Sequence, residues 1–266
     1  MERLSLKEQH VLLLELAKDV TSILNRHGIP YYMLGGTMLG AIRHKGFIPW
    51  DDDMDFGIPL PYYQQAKNVL DKELKKRYRC STYKETKGNH APFLKVDDTS
   101  TVIHDIKLSI PLEDQLGLNI DLFPLVECDL YSWRLLFFFL LRKINRIVFT
   151  NSTSTSVFKA RLKKLIRLFF PFSQERILDY LWKQVTLLPP GDYIGNVFGA
   201  WGKREIITKT IMGEPVEYVF EDTFLGGAQK YDDYLKMLYG DYMNLPKIEE
   251  RKPHCNVVYY RDYDRE

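Results

Sequence analysis

The chain is poor in cysteine: three in 266 residues, Cys80, Cys128 and Cys255, far apart and with no C-x-x-C pair. That excludes a disulfide scaffold and a cysteine zinc cluster, and it fits a reducing compartment. Long apolar runs are also missing. The longest, Leu135–Leu141, covers seven residues, where a spanning helix needs about 20. The opening MERLSLKEQHVLLLELAKDV is interrupted by Glu15, Lys18 and Asp19 on a helical period, so no secretory leader is read there. Acidic residues are absent from Leu130 to Gln174, a stretch with nine Lys/Arg in a chain whose net charge is +2. The remainder is therefore net negative, and a field so lopsided concerns partners, not fold. No internal repeat is visible, and the Ser/Thr run at 152–156 reads as a loop.

What is present suits a globular protein. The chain is 45% hydrophobic and 14% aromatic, enough for one large domain or a core with one insertion. Ser5 and Glu8 form a capping-box pair ahead of Leu13, Leu16, Ala17, Val20, Ile23 and Leu24 at helical spacing. Gly28 and Pro30 end that helix. A short strand is predicted at 31–34, a helix capped by Thr37 through about Arg43, a strand at 53–58 and a helix at 61–76. Further strands are expected at 78–83, 92–97, 101–105, 117–126 and 215–220. The pattern from 131 to 187 is helical, and a last helix is expected over about 228–240.

The densest chemistry lies in LGGTMLGAIRHKGFIPWDDDMDFGIP, residues 34–59, with Asp51, Asp52, Asp53 and Asp55. Unpaired carboxylates are costly to bury, so they meet a cation or stay wet. On a strand, residues two apart share a face, roughly 6.6 Å apart. Asp53 and Asp55 then face one way, Asp51 could join them, and Asp52 points elsewhere. Two such carboxylates suit Mg²⁺ or Mn²⁺ bound together with substrate phosphate. Gly35 and Gly36 let backbone N–H groups approach a phosphate, and a helix starting near Thr37 adds its positive end. Arg43 and Lys45 could hold a nucleotide diphosphate. Taken singly, a Gly-Gly turn or an Asp-x-Asp is often only a turn or a solvated pair. The sequence of strand, GGT, helix, basic cluster and acidic strand within 26 residues is the stronger signal.

This stretch resembles the hallmark of the LicD family of phosphotransferases, which includes the fukutin-related enzymes and has a nucleotidyltransferase fold. The resemblance continues in FLKVDDTSTV at 93–102, LNIDLFPL at 118–125, and YGDYMNLP at 239–246 followed by Arg251 and His254. Residues 130–190 match poorly, and Lys247 stands where the family often has a second proline. The resemblance implies that Asp53 and Asp55 are metal ligands and that Asp121 is the third carboxylate, binding metal or taking a proton from the acceptor hydroxyl. It implies donor-phosphate contact by Lys95, a cation- or hydroxyl-orienting role for Glu221, and closure over the phosphates by Arg251 and His254. For each, a structural role remains the alternative.

Residues 133–149 and 157–170 are helical, basic and aromatic-rich. Such helices either lie on an anionic membrane surface or pack one face on a core. No nucleic-acid motif accompanies the charge.

The expectation is an α+β protein with a nucleotidyltransferase-like mixed β-sheet core, residues 1–130 and 188–266, and a basic helical insertion at 131–187. The resemblance implies transfer of a phospho-alcohol, chiefly phosphocholine from CDP-choline. The acceptor would be a sugar hydroxyl of a lipid-linked or soluble precursor of teichoic acid, lipopolysaccharide or capsule. A cytoplasmic protein, peripheral on the inner face of the membrane, follows. The alternatives are a nucleotidyltransferase adding NMP to a small hydroxyl compound, and a non-catalytic membrane-associated protein.

Overall fold

The computed structural model describes residues 2–86, 89–103, 115–149, 172–253 and 259–261. Two compact units divide the chain, one formed by Met1–Val126 with Ile194–Glu266, the other by Glu127–Tyr193. The elements run in the order β1 (Glu2–Arg3), α1 (Leu6–Arg26), β2 (Tyr32–Met33), α2 (Gly35–Arg43), β3 (Asp55–Pro59), α3 (Leu60–Glu73), β4 (Tyr78–Ser81), β5 (Leu94–Asp98), β6 (Thr101–Ile103) and β7 (Leu118–Cys128). They continue with α4 (Trp133–Phe149), α5 (Gln174–Val185), β8 (Tyr193–Asn196), β9 (Ile206–Thr208), α6 (Lys209–Met212), β10 (Val216–Phe220), β11 (Thr223–Gly227), α7 (Tyr231–Tyr239) and β12 (Tyr259–Arg261).

The first helix forms where local chemistry demands it. Ser5 Oγ accepts from the Glu8 N–H at 3.3 Å, and the Glu8 carboxylate accepts from the Ser5 N–H at 2.7 Å. Both are donors that a helix start leaves orphaned. Leu13, Leu16, Ala17, Val20 and Leu24 are then buried along one stripe. Gly28, at φ +62°, carries the chain out of the helix.

The central sheet has the order β2-β3-β7-β5-β4, with β8 and β9 joined through β7. It is mixed: β3 runs parallel to β7, and the other pairs along the main path are antiparallel. Because register places partners on the same face, the two faces can be read across strands. One carries Phe56, Ile58, Leu94, Val96, Ile120 and Leu122, all buried. The other carries Asp55, Asp121, Lys95 and Ser81 in one row across four strands. The apolar face is the core. Helix α3 packs on β3 and β4, and α1 packs on α3. Tyr63 ties α3 to the sheet: its hydroxyl donates to the Leu122 carbonyl and accepts from the Leu94 N–H, both at 2.7 Å.

Outside this sheet, β1, β12 and β6 form a three-stranded sheet, and β10 and β11 form a hairpin. In the second unit, α4 packs against α5, which Ser173 caps by accepting from the Arg176 N–H at 3.3 Å.

Several expected boundaries shift. The acidic strand begins at Asp55, so Asp53 precedes it and its alternation with Asp55 is not that of a regular strand. Helix α2 begins at Gly35 with Leu34 as its N-cap, and Thr37 does not cap it. The expected strand at 215–220 has a hairpin partner, β11, beyond the strands expected from the sequence. Within 131–187 the described helices are α4 and α5. His254, Cys255, the Ser/Thr run and the basic segment 157–170 lie outside the described residues.

Candidate active site

The site grows from the polar face of the sheet. Asp55 opens β3, and both backbone groups of this residue are fixed by the start of α2. Thr37 Oγ1 accepts from the Asp55 N–H at 2.8 Å, and the Asp55 carbonyl accepts from the Leu34 N–H at 2.9 Å. Thr37 thus ties α2 to β3 instead of capping its own helix. Asp121 lies directly across on β7, and its N–H donates to the Met54 carbonyl at 2.9 Å. Lys95 lies across Asp121 on β5, where its ammonium pairs with the Asp121 carboxylate and donates to Asn119 Oδ1 at 3.0 Å.

Two carboxylates in register leave little room for charge. Burial pushes the Asp55 carboxyl well above its usual 3.8, with Asp53, Asp121 and Asp51 adding to the rise and Lys95 opposing it. Among the described residues no group of three or more His, Cys, Asp or Glu side chains is gathered as a metal cluster. The donors available are carboxylate oxygens, the chemistry a hard divalent cation takes. A second cation near Asp55 would also offset the repulsion that raises its carboxyl.

The two glycines make this packing possible. A Cβ on Gly36 would stand 2.5 Å from Asp51 Oδ2, closer than carbon and oxygen can approach. Gly35 adopts φ +48°, and a Cβ there would sit 3.8 Å from Asp55 Oδ2 and 3.5 Å from the Tyr239 hydroxyl. The Gly35 N–H donates to the Tyr234 hydroxyl at 2.9 Å. Gly-Gly therefore admits carboxylates close to the helix start, and one of the N–H groups expected for phosphate is engaged by a tyrosine.

Beside the acidic run stands a basic and aromatic group. Arg43 donates to the Tyr242 carbonyl at 2.8 Å and to His44 Nε2 at 3.0 Å. Burial, followed by the Arg43 charge, lowers the His44 imidazole. The Arg251 guanidinium lies 5.3 Å over the Trp50 ring and donates to the Pro246 carbonyl at 2.9 Å. His44 meets the same ring edge-on at 6.1 Å. Lys45 is exposed at φ +61°. Glu221 has a bracing role: Oε1 accepts from the Phe47 N–H at 3.0 Å, while the Glu221 N–H donates to the Lys45 carbonyl at 2.7 Å. A Cβ on Gly46 would collide with that carboxylate.

Some contributors carried little sequence signal. Tyr234 and Tyr239, whose hydroxyls burial pushes up, reach Gly35 from α7, about 200 residues along the chain. Tyr239 belongs to the YGDYM motif, which marked the region but not its target. His10 has no motif context in the sequence. Its ring stacks on Phe47 at 4.2 Å, and Nε2 donates to the Asp51 carbonyl at 2.6 Å. Asp97 and Asp98, in the FLKVDDTSTV stretch, are buried fold residues. Asp97 accepts from Arg79, Ser81 and the Gly117 N–H, and Asp98 from Arg77 and Ser100.

A parallel strand pair thus presents opposed carboxylates behind a glycine turn and a helix. The nucleotidyltransferase domain shared by LicD, fukutin (FKTN) and fukutin-related protein (FKRP) matches residues 28–138. Lipopolysaccharide cholinephosphotransferase LicD of Haemophilus influenzae is 30% identical over 267 residues, covering 96% of this chain and 97% of that one. Human ribitol 5-phosphate transferase FKRP is 48% identical over 46 residues, 17% of this chain and 9% of that protein. The chain belongs to the LicD family.

Proposed function

We propose that the chain transfers a phospho-alcohol, phosphocholine from CDP-choline, to a sugar hydroxyl of a cell-surface glycan precursor. The core that does so is nucleotidyltransferase-like. The observation that carries the reading is the row Asp55–Asp121–Lys95 across three neighbouring strands. Near full-length similarity to a cholinephosphotransferase supports the choice of alcohol. The similarity over 46 residues to a ribitol 5-phosphate transferase supports transfer of an alcohol phosphate as the wider class. The acceptor is a lipid-linked or soluble precursor of lipopolysaccharide, teichoic acid or capsule, met at the inner face of the membrane.

Mg²⁺ or Mn²⁺ held by Asp53, Asp55 and Asp121 would neutralise diphosphate charge and favour loss of CMP. The acceptor oxygen attacks the phosphorus bearing choline. The bond to CMP breaks in line, and the hydroxyl proton passes to Asp121. Lys95 holds the Asp121 carboxylate in the row and presents its ammonium to the same phosphate. Arg43, Lys45 and Arg251 supply positive charge for the diphosphate, with Trp50 supporting Arg251 from one face. Gly36 and Thr37 bring the positive end of α2 close to the phosphates. Tyr234 fixes Gly35, and Glu221 braces the Lys45–Phe47 turn. His254 would complete the basic group.

Product analysis tests the reaction. Purified protein with CDP-choline, Mg²⁺ and a glycan acceptor should yield CMP and phosphocholine-modified glycan. Asp55→Ala should lower the rate by at least about 1,000-fold, the scale on which charge-stabilising groups act. Pyrophosphate release from a nucleoside triphosphate would point to nucleotidyl transfer instead, and undiminished turnover in EDTA would overturn the metal requirement.

A further inference from the structure

Helix α4 has two apolar faces, and among the described residues only one of them is covered. Leu135 and Phe138 are fully buried, and the helix packs against α5. Trp133, Leu136, Phe137, Leu140 and Ile147 are exposed, Trp133 by 67% and Leu140 by 54%. At about 100° per residue, these five side chains fall within an arc of about 100°, one continuous stripe along the helix. Lys143 and Arg134 flank the stripe on its two sides, and Arg146 lies beyond Lys143; all three are exposed. The helix contains no Asp or Glu, nor does any position from Leu130 to Gln174. No helix among the described residues is long and apolar enough to cross a membrane.

An apolar stripe with an aromatic end, basic flanks and no acid matches an anionic lipid surface in shape and charge. The stripe enters the boundary between headgroups and acyl chains, and the flanking cations meet the phosphates. A protein partner would be expected to meet some acid along the helix to pair with its own bases, and α4 itself carries none. We infer that α4 is a membrane-docking helix that lies flat on an anionic bilayer through Trp133, Leu136, Phe137, Leu140 and Ile147. This gives a surface to the inner-face location proposed above and rests on it. At about 1.5 Å per residue the helix lays down roughly 25 Å of contact.

Flotation of the full chain tests the inference. Vesicles of phosphatidylcholine with phosphatidylglycerol are compared with phosphatidylcholine alone across a salt series. Wild type should partition into the anionic vesicles at low salt, lose that partition as salt rises, and bind neutral vesicles weakly. Leu136→Glu combined with Leu140→Glu should weaken partition by at least about tenfold. Lys143→Glu with Arg146→Glu should weaken it about tenfold at low salt alone. The four side chains are exposed or flank the stripe, so circular dichroism and CMP release with a soluble acceptor should match wild type. Equal partition by the leucine variant, no partition by wild type at low salt, or self-association through α4 that excludes vesicles would overturn the inference. Loss of CMP release in an otherwise vesicle-binding protein would instead count against the proposed reaction.

Discussion

Asp55 sits at the point where folding and chemistry conflict. Its backbone is fixed by Thr37 and Leu34, while its carboxyl, on a half-buried residue, stands near Asp53, Asp121 and Asp51. The folded chain therefore holds the Asp55 proton to a higher pH than the unfolded chain, whose value is near 3.8. With more protons bound in the folded state, stability is fully present below the unfolded value and is lost as pH rises through the folded one. Asp55→Asn removes that loss. In EDTA at neutral pH the variant should melt above wild type, by about 2–4 °C for each kcal/mol recovered. The gap should close as pH falls towards 3.8. A variant that melts lower at neutral pH would show that contacts favouring the charged carboxylate outweigh the repulsion. The gain would come with lost turnover, the usual exchange at a strained site.

Among elements, β5 separates aspartates that look alike in the sequence. Asp97 is fully buried and accepts from Arg79 at 2.8 Å, Ser81 at 2.6 Å and the Gly117 N–H at 3.2 Å. Asp121 on β7 is partly exposed and faces Lys95. Removing one partner of a buried pair leaves the other charge uncompensated, so Asp97→Ala should cost about 3–5 kcal/mol. Asp121→Ala at a part-exposed pair should cost about 1 kcal/mol or less. Urea unfolding midpoints read the difference, and near-equal midpoints would contradict it. The strand pattern distinguished these two residues only in part. Leu118, Ile120 and Leu122 alternating with Asn119 and Asp121 made β7 legible, because one face is apolar and the other is not. The partners of Asp97 come from β4 and the Gly117 turn, contacts that a local pattern does not carry.

The same limit applies elsewhere. Helix α1 was legible because Ser5, Glu8 and the apolar stripe act within a few residues of one another. The hairpin strand β11, TFLGG, escaped because its glycines hide the alternation. Thr37 holds the place of a cap before an apolar run, yet its hydroxyl reaches across to β3. Tyr234, Tyr239 and His10 meet the glycine turn and the acidic run only through tertiary packing. The expected strand through Asp53 and Asp55 starts at Asp55, because Asp51–Asp53 form an irregular segment that leads into it.

At the scale of the whole molecule, the first unit carries the carboxylate row and its basic surround, from segments as distant as Thr37 and Tyr239. The second unit carries α4, with an exposed apolar stripe and no acid. We propose that the row across β3, β7 and β5 is where donor, cation and acceptor meet. The most direct measurement is anomalous diffraction from crystals grown with Mn²⁺ and CDP-choline. A manganese peak is expected about 2.0–2.3 Å from oxygens of both Asp55 and Asp121 and from the diphosphate, with the pyrophosphate within reach of Lys95 and Arg43. A manganese peak and nucleotide bound away from these two aspartates would contradict it.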